Sequence, residues 1–408
     1  MTSAREAVAD AHRREWATVL AATVRVTRDL DLAEECVQDA YASALDEWTR
    51  RGVPTRPGAW LVTAARHNAV DALRRARTLR SKLHLLTEPA GDSPPEPAVR
   101  EDRLRLVFLC CHPALVIEAQ VALTLRLVCG VTTSDIAKLF LVSEATMAAR
   151  ITRAKKKIVA ARIPFRMPAG SELPDRLDAA LTVIHLLFTV GHTAPTGQKL
   201  TRNDLAERAV DLARMLRAEM PDEREVQGLL ALLLANHARR ATRATADGRP
   251  LLLEEQDRSA WDRRAITEAH GLVVEALAGG NPGRFALQAA IASLHATAPS
   301  YDETDWAQVL VLYDELLRTW PSPVVALNRA VAVAMVSGPA TALAEVEALE
   351  ADTRLAGYRY LPAVKADLLR RLGRRADAAS AYERAIALAE NDAERALLAS
   401  RLAEMGKT

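Results

Sequence analysis

The chain has few of the residues that staple, anchor or catalyse. Four cysteines stand in 408 residues, Cys36, Cys110, Cys111 and Cys129, and no two form a CxxC pair. That excludes a disulfide framework and predicts reduced thiols in a cytoplasmic protein. Aromatic residues make up only 4%. No apolar h-region opens the chain. The longest apolar stretch, Leu181–Val190, is interrupted by Thr182, His185 and Thr189 and is too short to span a bilayer, so no membrane association is expected. GxSxG, Walker, HExxH and GxGxxG signatures are missing, so neither an enzyme nor a bound cofactor is expected. No metal is expected either. Cys110, Cys111 and His112 lack the spacing of a zinc site and read as a buried helix end stopped by Pro113. His185 and His192 read as core or loop histidines.

Alanine, leucine and charge are what the chain has in quantity. Half of its residues are apolar, and its 17 glycines and 19 prolines gather between segments rather than inside them. This composition predicts an all-α protein, and the length predicts two or three domains. The net charge of +2 conceals an asymmetry. Residues 1–162 carry 25 basic against 19 acidic side chains (+6), and residues 163–408 carry 29 against 33 (−4). A basic front and a mildly acidic rear suit a nucleic-acid-binding head on a body with another task. The proline-rich TEPAGDSPPEP marks a linker, and the expected division is 1–86, a linker over 87–99, 100–162, and a helical extension over 163–408.

Three motifs fill the front. Residues 29–48, DLDLAEECVQDAYASALDEW, hold seven acids and no Lys or Arg. Leu32, Cys36, Val37, Ala40, Tyr41, Ala44, Leu45 and Trp48 form a stripe of helical period. Such a face repels DNA, so Asp31, Glu34, Glu35, Gln38 and Asp39 are candidates to meet a basic protein partner. From Arg56 to Lys82 the sign reverses, with seven basic residues against the single acid Asp71. Here Trp60, Leu61, Ala64, Ala65, Val70 and Leu73 make a core side, and Arg66, His67, Asn68, Arg74 and Arg75 are left for phosphates and base edges. The preceding loop, with Arg56, offers a seat for unpaired bases.

The third motif is a helix–turn–helix, VTTSDIAKLFLVSEATMAARITRAKKK at 131–157. Thr132 or Thr133 caps the first helix and Ser143 the second. Met147, Ile151, Ala154 and Ile158 form the buried stripe of the second helix. Glu144, Ala145, Ala148, Ala149, Thr152, Arg153 and Lys156 then face outward, small enough to enter a major groove, with Arg153 and Lys155–Lys157 suited to phosphates.

These motifs resemble bacterial sigma factors. DLAEECVQDAYASALDEW is similar to region 2.2, RPGAWLVTAARHNAVDALRR to regions 2.3 and 2.4, and VTTSDIAKLFLVSEATMAARITRAKKKI to region 4.2. Having only these two regions, joined by a linker, resembles the extracytoplasmic-function group. One departure is His67, inserted where the commoner pattern runs directly from Arg to Asn. The resemblance implies core RNA polymerase, through its β′ and β subunits, and promoter DNA as partners. The acidic helix would dock on β′. Arg56, Trp60, Arg66, His67, Asn68, Arg74 and Arg75 would melt and hold the minus-ten element. Ser143, Glu144, Ala145, Ala148, Ala149, Thr152, Arg153 and Lys156 would read the minus-thirty-five element.

The rear is helix after helix. Gly338 and Gly373 lie 35 residues apart, near the period of tetratricopeptide repeats, and Ala378, Tyr382 and Ala385 sit where such repeats pack small and aromatic residues. With FLCCHPAL at 108–115 and DGRPLLLEEQDRSAWD at 247–262, the extension resembles that of a sigma subgroup with a fused tetratricopeptide-like tail. Asp247, Arg249, Gln256, Asp257, Arg258 and Trp261 are candidates for a regulatory docking surface, or alternatively for a cap with Trp261 packed between repeats. A tail of this kind can stand in for a separate anti-sigma factor. The competing reading is a helix–turn–helix regulator on a protein-interaction scaffold, without polymerase-directed melting.

Overall fold

A leading helix and the two helices made of the first two motifs wrap one small core. They are α1 (Ala4–Thr27), α2 (Leu30–Arg51) and α3 (Pro57–Ser81). The computed structural model describes residues 4–81, 96–140, 142–193, 200–245 and 248–406. Asp29 starts α2 by accepting from the backbone N–H groups of Asp31 and Leu32, and Gly52 ends it at φ 86°. The expected stripe of α2 is buried at Cys36, Val37, Ala40, Tyr41, Ala44 and Trp48, against Trp16, Val19, Leu20 and Val24 of α1 and Leu61, Ala65 and Ala69 of α3. Leu45 departs from the expectation and lies exposed, because a 3.6-residue period carries it past the edge of the core face. Trp60 meets Trp48 edge-on at 5.7 Å and stays half-buried.

The next helices are α4 (Glu96–Cys110), α5 (Ile117–Leu123), α6 (Thr133–Leu139) and α7 (Glu144–Ala160), with a π-helical turn at Thr124–Val128. α6 and α7 are the two arms of the helix–turn–helix. Thr132 Oγ1 accepts from the Asp135 N–H at 3.1 Å, and Ser143 Oγ accepts from the Thr146 N–H at 3.2 Å, so both arms start on the side-chain caps read from the sequence. The buried face of α7 is Met147, Ile151, Ala154 and Ile158, as the periodicity predicts, and Lys155 joins it. Cys110 and Cys111 are buried at the end of α4, and Cys111 Sγ lies 3.5 Å from Thr124 Oγ1.

The chain divides into two compact units, residues 1–183 and 184–408, with the division inside α8 (Leu173–His192). The modules expected on either side of the proline-rich linker therefore share the first unit. Linker residues 87–95 lie outside the described residues.

The second unit continues with α9 (Asn203–Glu219), α10 (Arg224–His237), α11 (Arg263–Leu277), α12 (Arg284–Thr297), α13 (Trp306–Thr319), α14 (Pro323–Val336), α15 (Pro339–Leu349), α16 (Tyr360–Arg371), α17 (Arg375–Leu388) and α18 (Asp392–Met405). From α12 onward each helix packs on the next, as in a helical-repeat array. Gly338 and Gly373 make the turns at φ 90° and 73°, and Ala378, Tyr382 and Ala385 are buried. Among the described residues there is no β-strand, only a bridge between Ala244 and Pro250. No described helix is long and apolar enough to cross a membrane.

Close helix approach gives the second unit its sharpest packing constraint. A Cβ on Gly228 of α10 would lie 2.5 Å from the Ala286 backbone nitrogen of α12, whereas one on Gly271 of α11 meets nothing within 4 Å. Gly228→Ala is expected to cost about 2–3 kcal/mol and lower the melting temperature by several degrees. Gly271→Ala is expected to be neutral or stabilising by about 0.5–1 kcal/mol. Thermal unfolding of the two variants side by side checks the contrast.

Candidate nucleic-acid interface

The acidic face of α2 is divided in the folded chain. Asp31, Glu35, Gln38 and Asp39 are exposed, but Glu34 is only 6% exposed. Its carboxylate is held from two sides by the helix–turn–helix module. Arg126 Nε lies 2.9 Å from Glu34 Oε1, and Lys155 Nζ of α7 donates to Glu34 Oε2 and, at 2.6 Å, to Asp31 Oδ1. Burial alone would lower the Lys155 pKa, but Glu34 and Asp31 outweigh it and hold the ammonium above its ordinary value.

Two further contacts lock the modules. Asp102 of α4 is fully buried, with Arg25 Nε of α1 at 3.3 Å and Arg105 Nη1 at 2.9 Å. Burial raises its carboxyl pKa despite both guanidinium groups. Trp16 Nε1 donates to the Leu127 carbonyl at 3.1 Å, and Gly130 passes so close that a Cβ would sit 2.9 Å from the Trp16 ring. Sequence reasoning missed this interface. Its signal was one acid on an otherwise solvated face falling in register with the buried stripe of α2.

The basic helix and the acidic helix share a cleft of about 430 Å³, lined by Glu35, Cys36 and Asp39 on one wall and Asn68, Asp71, Arg74 and Arg75 on the other. Arg56, His67, Arg74 and Arg75 are exposed; Trp60, Arg66 and Asn68 are half-buried. Asn68 Nδ2 donates to the Cys36 carbonyl at 3.1 Å, so this amide is engaged in joining α3 to α2. On α7 the residues expected outward are outward: Ser143, Glu144, Ala145, Ala148, Ala149, Thr152, Arg153 and Lys156 are all exposed. Lys155, read with Lys156 and Lys157 as a phosphate contact, is instead buried against α2.

In the tail the QDRSAWD stretch folds inward. Gln256 and Trp261 are buried, and Trp261 Nε1 donates to Thr242 Oγ1 at 2.8 Å. Arg258 is buried over the Trp261 ring and donates to the carbonyls of His295 and Ala298 at 2.6 and 2.9 Å. These three brace the tail from inside, which corrects their reading as a docking surface. Arg249 and Asp257 remain exposed, and Asp247 lies outside the described residues.

Comparison with known families separates the front from the rear. Residues 11–78 match sigma-70 region 2, and residues 105–158 match sigma-70 region 4. The chain belongs to the sigma-70 family. As a sigma factor it acts in promoter recognition by RNA polymerase, and its α6–α7 pair lies within the region 4 match. Residues 176–277 match a family of unknown function, DUF6596. An uncharacterized protein of Rhizobium meliloti (strain 1021) is 44% identical over 391 residues, covering 94% of this chain and 92% of that protein. No solved structure matches significantly.

The shared carboxylate of Glu34 sets an order of effects in this sigma factor. Glu34→Gln leaves both Lys155 and Arg126 facing a neutral amide and is expected to cost about 3 kcal/mol. Lys155→Met leaves Glu34 still paired with Arg126 and is expected to cost about 1–2 kcal/mol. Urea unfolding of the two variants checks the ranking, and a larger loss in Lys155→Met contradicts it.

Proposed function

We propose that the chain is an extracytoplasmic-function-type sigma factor working in the cytoplasm. Residues 1–86 serve as its region 2, residues 100–162 as its region 4, and residues 163–408 as a built-in regulator. Glu35, Gln38 and Asp39 present the acidic face to a basic surface of the polymerase β′ subunit, while region 4 engages β. Arg56, Trp60, Arg66, His67, Arg74 and Arg75 hold the opened minus-ten element, the guanidinium groups on phosphates and the half-buried Trp60 as a stacking surface. The outward face of α7 enters the minus-thirty-five major groove, where its alanines admit close approach and Arg153 and Lys156 meet the backbone.

The observation that carries this reading is the sorting of exposed charge by helix. The exposed acids Glu35 and Asp39 stand on α2, and exposed basic residues stand on α3 and α7; each helix has a buried stripe behind it, and the α2 acids face Arg74 and Arg75 across the shared cleft. The folded arrangement is then a closed form. Glu34 and Asp31 join the polymerase surface only after Lys155 and Arg126 release them, and the same release frees Lys155 for DNA.

Charge reversal at the acids left exposed tests the reading. In Glu35→Lys/Asp39→Lys, affinity for core polymerase is expected to fall at least about tenfold, and promoter-dependent transcription with it. Binding of duplex minus-thirty-five DNA should be unchanged. Undiminished core binding would overturn the assignment.

A further inference from the structure

Three guanidinium groups of the tail, Arg239, Arg243 and Arg258, stand together with no carboxylate paired to them among the described residues. Among the described residues, no Asp or Glu oxygen lies within 4.0 Å of Arg239, Arg243 or Arg258. Their hydrogen bonds go to neutral oxygens. Arg239, just beyond α10, reaches the amide oxygens of Gln256 and Asn236 at 3.4 and 3.3 Å. Arg243 donates to the His192 carbonyl and, at 3.1 Å, to Thr193 Oγ1. Arg258 donates to two carbonyls at the end of α12, and its Nη2 is buried with no hydrogen-bond partner.

One turn gathers the three. The Arg239 carbonyl accepts from Thr242 Oγ1 at 3.1 Å, that hydroxyl accepts from Trp261 Nε1, and Arg258 lies 4.6 Å from the Trp261 ring centre. Arg239 and Arg243 are half-buried, and Arg258 is buried.

Burying a cation without a counterion is costly, and the carbonyls at a helix C-terminus supply together only about half a negative charge. The neighbours register the imbalance. Burial and then Arg258 push Arg239 down to about 10, and burial and then Arg239 push Arg243 down to about 9. His295 is driven to about 4 by burial, then Arg239 and Arg258, and burial first, then Arg243, Arg239 and His237, holds His192 well below its ordinary value. Tyr360 and Glu394 act on Arg243 in the opposite sense. Glu394, however, is already engaged by Arg359 at 2.8 Å and by the Tyr360 hydroxyl at 2.5 Å.

We infer that Arg239, Arg243 and Arg258 form a binding site for a phosphate group, either free phosphate or one carried by a small metabolite. Planar guanidinium forks match phosphate oxygens, and a dianion with three acceptor oxygens offsets charge that a single carboxylate would leave uncompensated. Gln256 and Thr193 stand beside the forks as further polar partners. The three arginines lie within the segment matched by the family of unknown function, outside the sigma regions.

The test is thermal unfolding of the full chain at matched ionic strength and pH in chloride, acetate, inorganic phosphate and glycerol phosphate. Inorganic phosphate, glycerol phosphate or both should raise the melting temperature by several degrees over chloride, with acetate well behind. Which of the two acts distinguishes free phosphate from a phosphomonoester. Arg239→Gln and Arg243→Gln should each abolish the rise, and Arg239→Lys should keep part of it, since charge remains but the fork does not. If a Gln variant does not fold, calorimetric titration of the unmodified chain and of Arg239→Lys with inorganic phosphate gives the same comparison. No rise in the unmodified chain, an equal rise in acetate, or an equal rise in both Gln variants would overturn the site and leave an adventitious ion only.

Discussion

The buried carboxylate of Glu34 ties the two modules at the front of this sigma factor together. Glu34 stands on α2, the helix proposed to meet polymerase, yet it lies in the fold between Lys155 and Arg126 of the region 4 module. An unpaired charge there would be prohibitive, so α7 and the π-helical turn must stay against α2 for as long as Glu34 is buried. The Arg25–Asp102 pair and the Trp16 bond to Leu127 act in the same direction along α1. Separating the modules would expose these charges to water together with the Trp16 face that packs on Gly130. That is the kind of interface a competing charged surface can replace.

The rear unit is built on a different principle. Small residues let its helices approach closely, as Gly228 does against α12, and left-handed glycines turn the chain at Gly338 and Gly373. Its polar centre is the turn between α10 and α11, where Trp261 and Arg258 close over three helix ends. The cationic character of that centre contrasts with the net acidity of residues 163–408.

Much of this was legible from residues alone, and the reasons are local. The caps at Asp29, Thr132 and Ser143 and the α7 stripe at Met147, Ile151, Ala154 and Ile158 depend on short-range geometry and hydrophobic period, which a sequence displays directly. What escaped was long-range pairing. Nothing near Lys155 in sequence marks it for burial, since its partner Glu34 lies 121 residues away. Leu45 fits the apolar pattern of the stripe, but the 3.6-residue period carries it past the edge of the core face. Gln256, Arg258 and Trp261 attracted notice as an unusual polar cluster, and their inward packing depends on α12, which follows them in the chain. Arg239 and Arg243 could have been found from the absence of any acid between Glu225 and Asp247.

In the proposed cycle the Glu34–Lys155 contact holds a closed form that opens when polymerase binds. Energy transfer between fluorophores on Ser43→Cys of α2 and Val159→Cys of α7 measures it most directly, since both positions are exposed and the native cysteines 36, 110, 111 and 129 are buried. The two labels should be close in the free chain and separate when core polymerase is added, with Glu34→Gln shifting the free chain toward the separated state. An unchanged short distance in a transcriptionally active complex would contradict the account.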